Sequence, residues 1–287
     1  MTGRTATVAG LLDAATDRVG GGLGLEKREA RLEARVLAAH AWRVTPAWLI
    51  AHDTDVATAA QAAAFEALLA RRLAGEPIAY IVGAREFYGR PFEVSPAVLI
   101  PRPETELLVE IALAHIPSDD ATAVLDLGTG SGCIAITLAL ERPRARVTAV
   151  ERSPAALALA RRNAETLGAA VEFTAGDWFS GLTGRSYHLI VANPPYIAAA
   201  DPHLARGDLR HEPVAALASG EDGLEDLRRL VEGAHAHLRR SGMLLLEHGY
   251  DQADAVQALL RSGGFTRPRC WRDLAGNPRV CGAELSE

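Results

Sequence analysis

At 287 residues the chain is longer than most single compact domains, so a large domain with a small companion is expected. Its 48% hydrophobic and 23% charged residues exclude a disordered chain and supply an ordinary core. A net charge of -6 and a pI near 5.9 argue against a general nucleic-acid or anionic-membrane binder, whose affinity comes from massed cations.

From Thr5 to about Ala74 apolar residues recur at helical spacing, as in Val8, Leu11, Leu12 and Ala15 or Leu32, Val36, Leu37 and His40, which predicts a small helical bundle. Gly20 to Gly22 should break its first helix, and Thr45-Pro46 offers an N-cap with proline at the first helical position. After Gly75-Glu76-Pro77 the runs IAYIVG, EFYG and PFEV carry the aromatic and β-branched residues of strands around a Gly89-Arg90 turn. These shifts divide the chain into a helical domain over 1–78, a hairpin linker over 79–100 and a larger domain over 101–287.

Beyond Pro101, short apolar runs alternate with helical stretches: AVLDLG, CIAITLALE, ARVTAVE, SPAALALARRNAETLG, VEFTAGD, YHLIVANPPY, MLLLEHG and RVCGAEL. That alternation predicts an open α/β sheet with helices on both faces, and the DLAGN turn adds a final antiparallel hairpin. Cys133, Cys270 and Cys281 are odd in number and form no C-x-x-C pair, so neither a disulfide framework nor a structural zinc site is expected, as fits a reducing cytosol. No uncharged run reaches the ~18 residues of a membrane helix, which makes a cytoplasmic protein without membrane contacts the default.

Strand AVLDL runs into Gly128-Thr129-Gly130-Ser131-Gly132 and then a helix, placing a glycine loop at a strand's carboxyl end, where open sheets bind ligands. A dinucleotide fingerprint would need glycine where Cys133 stands. Asp126, just before the loop, can either hold the turn or accept from a cofactor's ammonium. The next strand ends at Glu151, about 20 positions beyond Gly130, where a carboxylate can bind both ribose hydroxyls of an adenosine. The third ends at Asp177-Trp178, an acceptor for an adenine amino group and an indole for its ring.

After the fourth strand comes Asn193-Pro194-Pro195-Tyr196. Two prolines stiffen the turn and remove donors, leaving carbonyls free to accept the two hydrogens of a planar NH2 group that packs on the Tyr196 ring. An amide or exocyclic nitrogen attacks poorly until its delocalised lone pair is turned toward the electrophile. Positioning by Asn193, Pro194 and Tyr196 is therefore the main catalytic task, and neither a metal nor a strong base is required. His235 and His237, two apart on a helix, are poorly arranged for one metal.

Through N-P-P-Y, EPIAYIVGAREFYGRPFEV, LIPRPETE, HEPVAALASGEDGLEDLRRLV, LEHGYDQ and RDLAGNPRV the chain resembles the HemK-type (PrmC) protein-glutamine methyltransferases, which modify class I peptide chain release factors. The resemblance spans nearly the whole length. It implies an α/β class I S-adenosylmethionine methyltransferase fold, Rossmann-like, with a mostly parallel seven-stranded sheet ending in an antiparallel hairpin. A small N-terminal helical bundle would be joined to it through the β-hairpin and help grip the protein substrate.

By the same resemblance Gly128 to Gly132, Glu151, Trp178 and Asn193 hold S-adenosyl-L-methionine, leaving S-adenosyl-L-homocysteine as product, and the residue pattern adds Asp177 to that cofactor set. Asn193, Pro194, Pro195 and Tyr196 hold the glutamine of a Gly-Gly-Gln loop. Glu151 stands where related proteins usually place aspartate. The rival readings are a ribosomal-protein glutamine methyltransferase, a nucleic-acid adenine amino methyltransferase, and a non-catalytic adenosine-binding regulator.

Overall fold

The computed structural model describes residues 6–286; the predicted helical start at Thr5 and the last residue lie outside the described residues. The chain divides into two compact units, Met1–Gly83 and Ala84–Glu287.

The first unit is all helical: α1 Val8–Leu23, α2 Lys27–Trp42, α3 Pro46–Ala51, α4 Ala59–Leu73 and α5 Ile78–Val82. Side chains that accept from the first free amides begin three of them, Thr7 from Gly10, Thr45 from Trp48, and Thr58 from Gln61 in a capping box. Contrary to the expected break at Gly20 to Gly22, α1 runs through those glycines and stops at Gly24, whose φ of 69° makes the left-handed cap. Buried Val8, Leu12, Ala15 and Val19 outweigh the helix cost of glycine, about 1 kcal/mol each. A Cβ on Gly22 would also come within 3.2 Å of Leu73, so a small residue suits that contact.

In α2 the buried face is Ala30, Ala34, Leu37 and Ala38, leaving Leu32 63% exposed. The apolar stripe read from Leu32 is therefore rotated: small alanines allow the close approach of α1, and bulk did not mark the inner face. Arg72, buried among these helices, is satisfied by Glu33 at 2.8 and 3.0 Å. IAYIV, read as strand, is helix α5. Pro77 starts it, Gly83 ends it at φ 76°, and buried Ala79, Tyr80 and Ile81 hold a turn that β-propensity disfavours.

The second unit opens on a hairpin of β1 Ala84–Phe87 and β2 Arg90–Glu93. Phe87 pairs with Arg90, so the turn is centred on Tyr88-Gly89, one residue earlier than expected, and both have the positive φ of a type I′ turn, 51° and 72°. The remaining elements are α6 Glu106–Ala114, β3 Ala123–Leu127, α7 Cys133–Glu141, β4 Arg146–Glu151, α8 Pro154–Leu167, β5 Val171–Ala175, β6 Tyr187–Ala192, α9 Glu225–Ala234, β7 Leu238–Glu247, α10 Ala253–Ser262, β8 Phe265–Arg272 and β9 Pro278–Leu285.

The strand order is β5-β4-β3-β6-β7-β9-β8. Strands β3 to β7 pair in parallel, and β9 pairs antiparallel with both β7 and β8. Successive strand residues face opposite layers: Leu189 and Val191 pack with α6, α7 and α8, while Ile190 and Ala192 pack with α9 and α10. Chain order runs outward from β3 in one direction and from β6 in the other, so the sheet reverses between them and opens a crevice at their carboxyl ends.

Two expectations fail in the hairpin and its neighbourhood. The register of β8 and β9 places Cys270 directly opposite Cys281, Cα to Cα 4.2 Å, and the two form a disulfide. Cysteine spacing along the chain carries no information on cross-strand register. Cys133 remains free and buried, with its thiol pushed up to about 12. His235 and His237 lie past the end of α9 rather than on it, and His237 stacks on Phe179 at 5.0 Å. Among the described residues no helix is long and apolar enough to cross a membrane.

Candidate active site

The crevice at the reversal is a cleft of about 1090 Å³, its open mouth included. Of the residues singled out from sequence, Gly128, Thr129, Gly130, Ser131, Glu151, Asp177, Trp178, Asn193 and Pro195 line it. Gly132, Pro194 and Tyr196 do not: Gly132 packs α7 against α8, where a Cβ would sit 2.7 Å from Ile136 and 3.2 Å from Ala160, and Pro194 is buried.

Three strand ends build one wall. The loop after β3 takes left-handed φ at Gly128, Gly130 and Gly132 and is tied to β4 by amides of Gly128 and Thr129 donating to the Val150 carbonyl. Glu151 ends β4 buried, its carboxylate accepting from the amides of Gly130 at 3.0 Å and Ser153 at 2.8 Å. These two bonds fix the carboxylate between the glycine loop and the start of α8. Asp126 is fully buried and outside the cleft lining; its Oδ2 accepts from Thr129 Oγ1 at 2.5 Å, which ties it to the turn, its Oδ1 has no partner, and burial pushes its carboxyl up to about 7.

After β5, Trp178 adopts φ 51°, an uncommon conformation for a bulky side chain, and its Nε1 donates to Asp226 at 3.1 Å. Its ring lies so close over the loop that a Cβ on Gly128 would come within 3.0 Å of it. Backbone strain here goes into presenting an indole face to the cleft. Asp177 also lines the cleft, half exposed and paired with Arg229 at 2.6 Å.

The opposite wall is the turn after β6. Asn193 donates from Nδ2 to Thr105 Oγ1 at 3.1 Å. The carbonyl of Tyr196 accepts from Gln252 Nε2 at 2.9 Å, and Gly223, at φ 74°, lies so near that a Cβ would stand 2.3 Å from that oxygen. Burial pushes the Tyr196 phenol up, so it stays protonated. The segments GEDGLED and LEHGYDQ thus converge on Asn193-Pro194-Pro195-Tyr196 and clamp it.

Sequence reasoning missed three contributors, Glu212, Asp226 and Glu247. The buried Glu212 carboxylate pairs with Arg102 and accepts from the Ile100 amide at 3.0 Å; this joins LIPRPETE to HEPVAAL at the cleft's edge. Asp226 holds the indole. Glu247, the last residue of β7, is buried beside Asn193, and burial pushes its carboxyl up to about 7. A lone acid at the end of an apolar run, MLLLE, was the available signal. Among the described residues one group of metal-ligating types gathers, His248, Cys270 and Cys281, and two of its three ligand atoms are joined to each other as the disulfide.

Comparison with known proteins agrees with this geometry. Residues 104–206 match the family described as Methyltransferase small domain, and residues 24–83 match the PrmC N-terminal domain. A release factor glutamine methyltransferase of Bordetella pertussis is 54% identical over 89% of this chain and 95% of its own. The protein of that name from Escherichia coli is 43% identical over 87% and 90%. A methyltransferase from Pyrococcus furiosus shares the fold at TM-score 0.54, 18% identity, over 76% of this chain and 98% of its own. The catalytic domain of hMettl16 does so at TM-score 0.57, 16% identity, over 77% and 82%. A methyltransferase fold with a cleft at the sheet reversal, carried on a chain this similar over nearly its full length, places it in one family: the chain belongs to the release factor glutamine methyltransferases.

Proposed function

We propose that the protein transfers a methyl group from S-adenosyl-L-methionine to the side-chain amide nitrogen of the glutamine in the Gly-Gly-Gln loop of class I peptide chain release factors. The observation that carries this reading is the junction of β3 and β6: a glycine loop and the buried Glu151 carboxylate share one cleft with Asn193 and Pro195 of a proline-stiffened turn. The names of the similar proteins supply the acceptor class. The bound cofactor supplies a methyl already activated on a sulfonium, so the protein's own task is to orient a poor nucleophile.

Each residue then has a role that its position supports. Gly128 and Gly130 leave room for the cofactor against the loop, Glu151 accepts from its ribose hydroxyls, and the Trp178 face packs on its adenine, with Asp177 near the exocyclic amine. Asn193 Oδ1 and the Pro194 carbonyl accept the two hydrogens of the acceptor amide, turning its lone pair toward the methyl, and Tyr196 packs on its plane. No metal takes part. We assign recognition of the protein substrate to the helical domain, 1–78, with the hairpin segment 79–100 leading into the catalytic domain 101–287; exposed Leu32 and Ile50 of the helical unit are suited to such a contact. A cytoplasmic setting, where release factors work, follows.

Glu151→Ala is expected to weaken cofactor binding by about 1 to 3 kcal/mol, the worth of two charge-assisted hydrogen bonds, while Glu151→Asp loses far less. Isothermal calorimetry reads both; an unchanged dissociation constant for the alanine variant would return Glu151 to a merely structural role. The function itself is tested by incubating the protein and labelled cofactor with release factor, ribosomal proteins and adenine-containing DNA in parallel. Label on release factor, lost when its Gly-Gly-Gln becomes Gly-Gly-Glu, is the expected result, and label on DNA or ribosomal protein alone overturns it.

A further inference from the structure

Glu247 is the residue that the chemistry described so far leaves unexplained. It is 1% exposed at the carboxyl end of β7, in a fully apolar strand segment, MLLLE. Its Oε2 has no hydrogen-bond partner at all, an arrangement that costs a folded protein stability. Thr105 and Asn193 stand beside its carboxyl, Arg279 from β9 and Glu104 from the turn before α6 act on it through charge, and its own charge acts on the Tyr196 phenol of the acceptor turn. A glutamine or leucine would be easier to bury there, so the acid needs a use.

We propose that Glu247, working through Thr105, fixes which end of the Asn193 side chain faces the acceptor nitrogen. The chain of hydrogen bonds has a direction. Asn193 Nδ2 donates to Thr105 Oγ1, so the single Thr105 hydroxyl proton is free to be donated onward, and an ionised carboxylate, which can only accept, receives it. That polarity commits the Asn193 NH2 to the protein and leaves Oδ1 to accept from the substrate's NH2 group. Protonated, the carboxyl becomes a donor to Thr105; the hydroxyl then turns to Asn193, which satisfies it by presenting oxygen, and the amide's NH2 end swings to the acceptor site. Two NH2 groups would then face each other and the acceptor would lose its grip. Glu247 and Thr105 are thus positioning residues.

Burial pushes the Glu247 carboxyl up to about 7, so the switch falls in the working range. Turnover at saturating cofactor and release factor should rise as pH increases through about 7. Glu247→Gln, which keeps the shape but offers a donor, should lower kcat at pH 8 by about 30-fold or more, flatten that rise, and leave cofactor affinity within about two-fold. The sign for stability runs the other way. A carboxyl whose folded pKa lies above its unfolded value costs stability once ionised, so at pH 8 Glu247→Gln should melt no lower than the parent. A slower yet equally stable variant cannot be explained by lost packing.

Thr105→Val should reproduce the loss and the flat profile, and Thr105→Ser, which restores the hydroxyl, should recover most of it. The inference rests on the proposed glutamine methylation, and the outcomes separate. A parent protein that methylates release factor while Glu247→Gln matches it in rate and pH profile overturns the switch and spares the reading. If the parent transfers no methyl, the switch is still read directly by NMR of the isotope-labelled protein. The Glu247 carboxyl carbon should titrate near pH 7, the Asn193 side-chain amide protons should follow the same midpoint, and Thr105→Val should uncouple them. Asn193 signals that ignore that titration overturn the proposal.

Discussion

Asn193→Ala is expected to slow methyl transfer to release factor by about two orders of magnitude or more while changing cofactor affinity only a few-fold, the pattern of a lost preorganised polar group. The strand β6 delivers Asn193 to the mouth of the cleft, and two prolines after it remove the freedom by which the turn could re-form around another side chain. An amide nitrogen shares its lone pair with its carbonyl, so the barrier lies largely in turning and holding it. Alanine keeps the backbone carbonyls but forfeits Oδ1, one of the two acceptors that set the orientation. Single-turnover rates read the chemical step and calorimetry reads the cofactor; equal rates for variant and parent would remove Asn193 from the chemistry.

Gly130→Val should abolish measurable cofactor binding. Gly130 has φ 57°, where a β-branched side chain is strained, and its amide donates to Glu151 at 3.0 Å, so shifting the loop also misaims the carboxylate. Space in the protein itself is not the obstacle, since the nearest atom to an added Cβ is the Gly128 carbonyl oxygen at 4.0 Å. The added bulk falls instead in the cleft. A valine variant that binds the cofactor with the parent's affinity by calorimetry would mean that the cofactor lies elsewhere.

The architecture of the second unit was legible because strand ends, glycine loop and helix starts follow each other at short range, from AVLDLG to SPAALALARR. The site residues on those ends were legible for the same reason, since a parallel sheet brings consecutive carboxyl ends to one edge. What failed depended on distant partners. Gly20 to Gly22 stay helical because buried neighbours hold α1, and IAYIV turns into α5 because Pro77 and Gly83 bracket it, against its own β-propensity. The Cys270–Cys281 pair required a register, and Glu212, Asp226 and Glu247 required knowing which loops converge on the acceptor turn. Their motifs were visible in HEPVAAL, GLED and LEHGYDQ, but their partners were not.

The central claim, that one cleft brings an activated methyl to a glutamine side chain held by Asn193, is tested most directly by mass spectrometry of purified release factor. The factor is incubated with the protein and S-adenosyl-L-methionine, and its peptides are fragmented. One added methyl on the side chain of the Gly-Gly-Gln glutamine, absent with Asn193→Ala at equal time, is the predicted result. An unmodified glutamine under conditions where the protein binds both cofactor and release factor would contradict it.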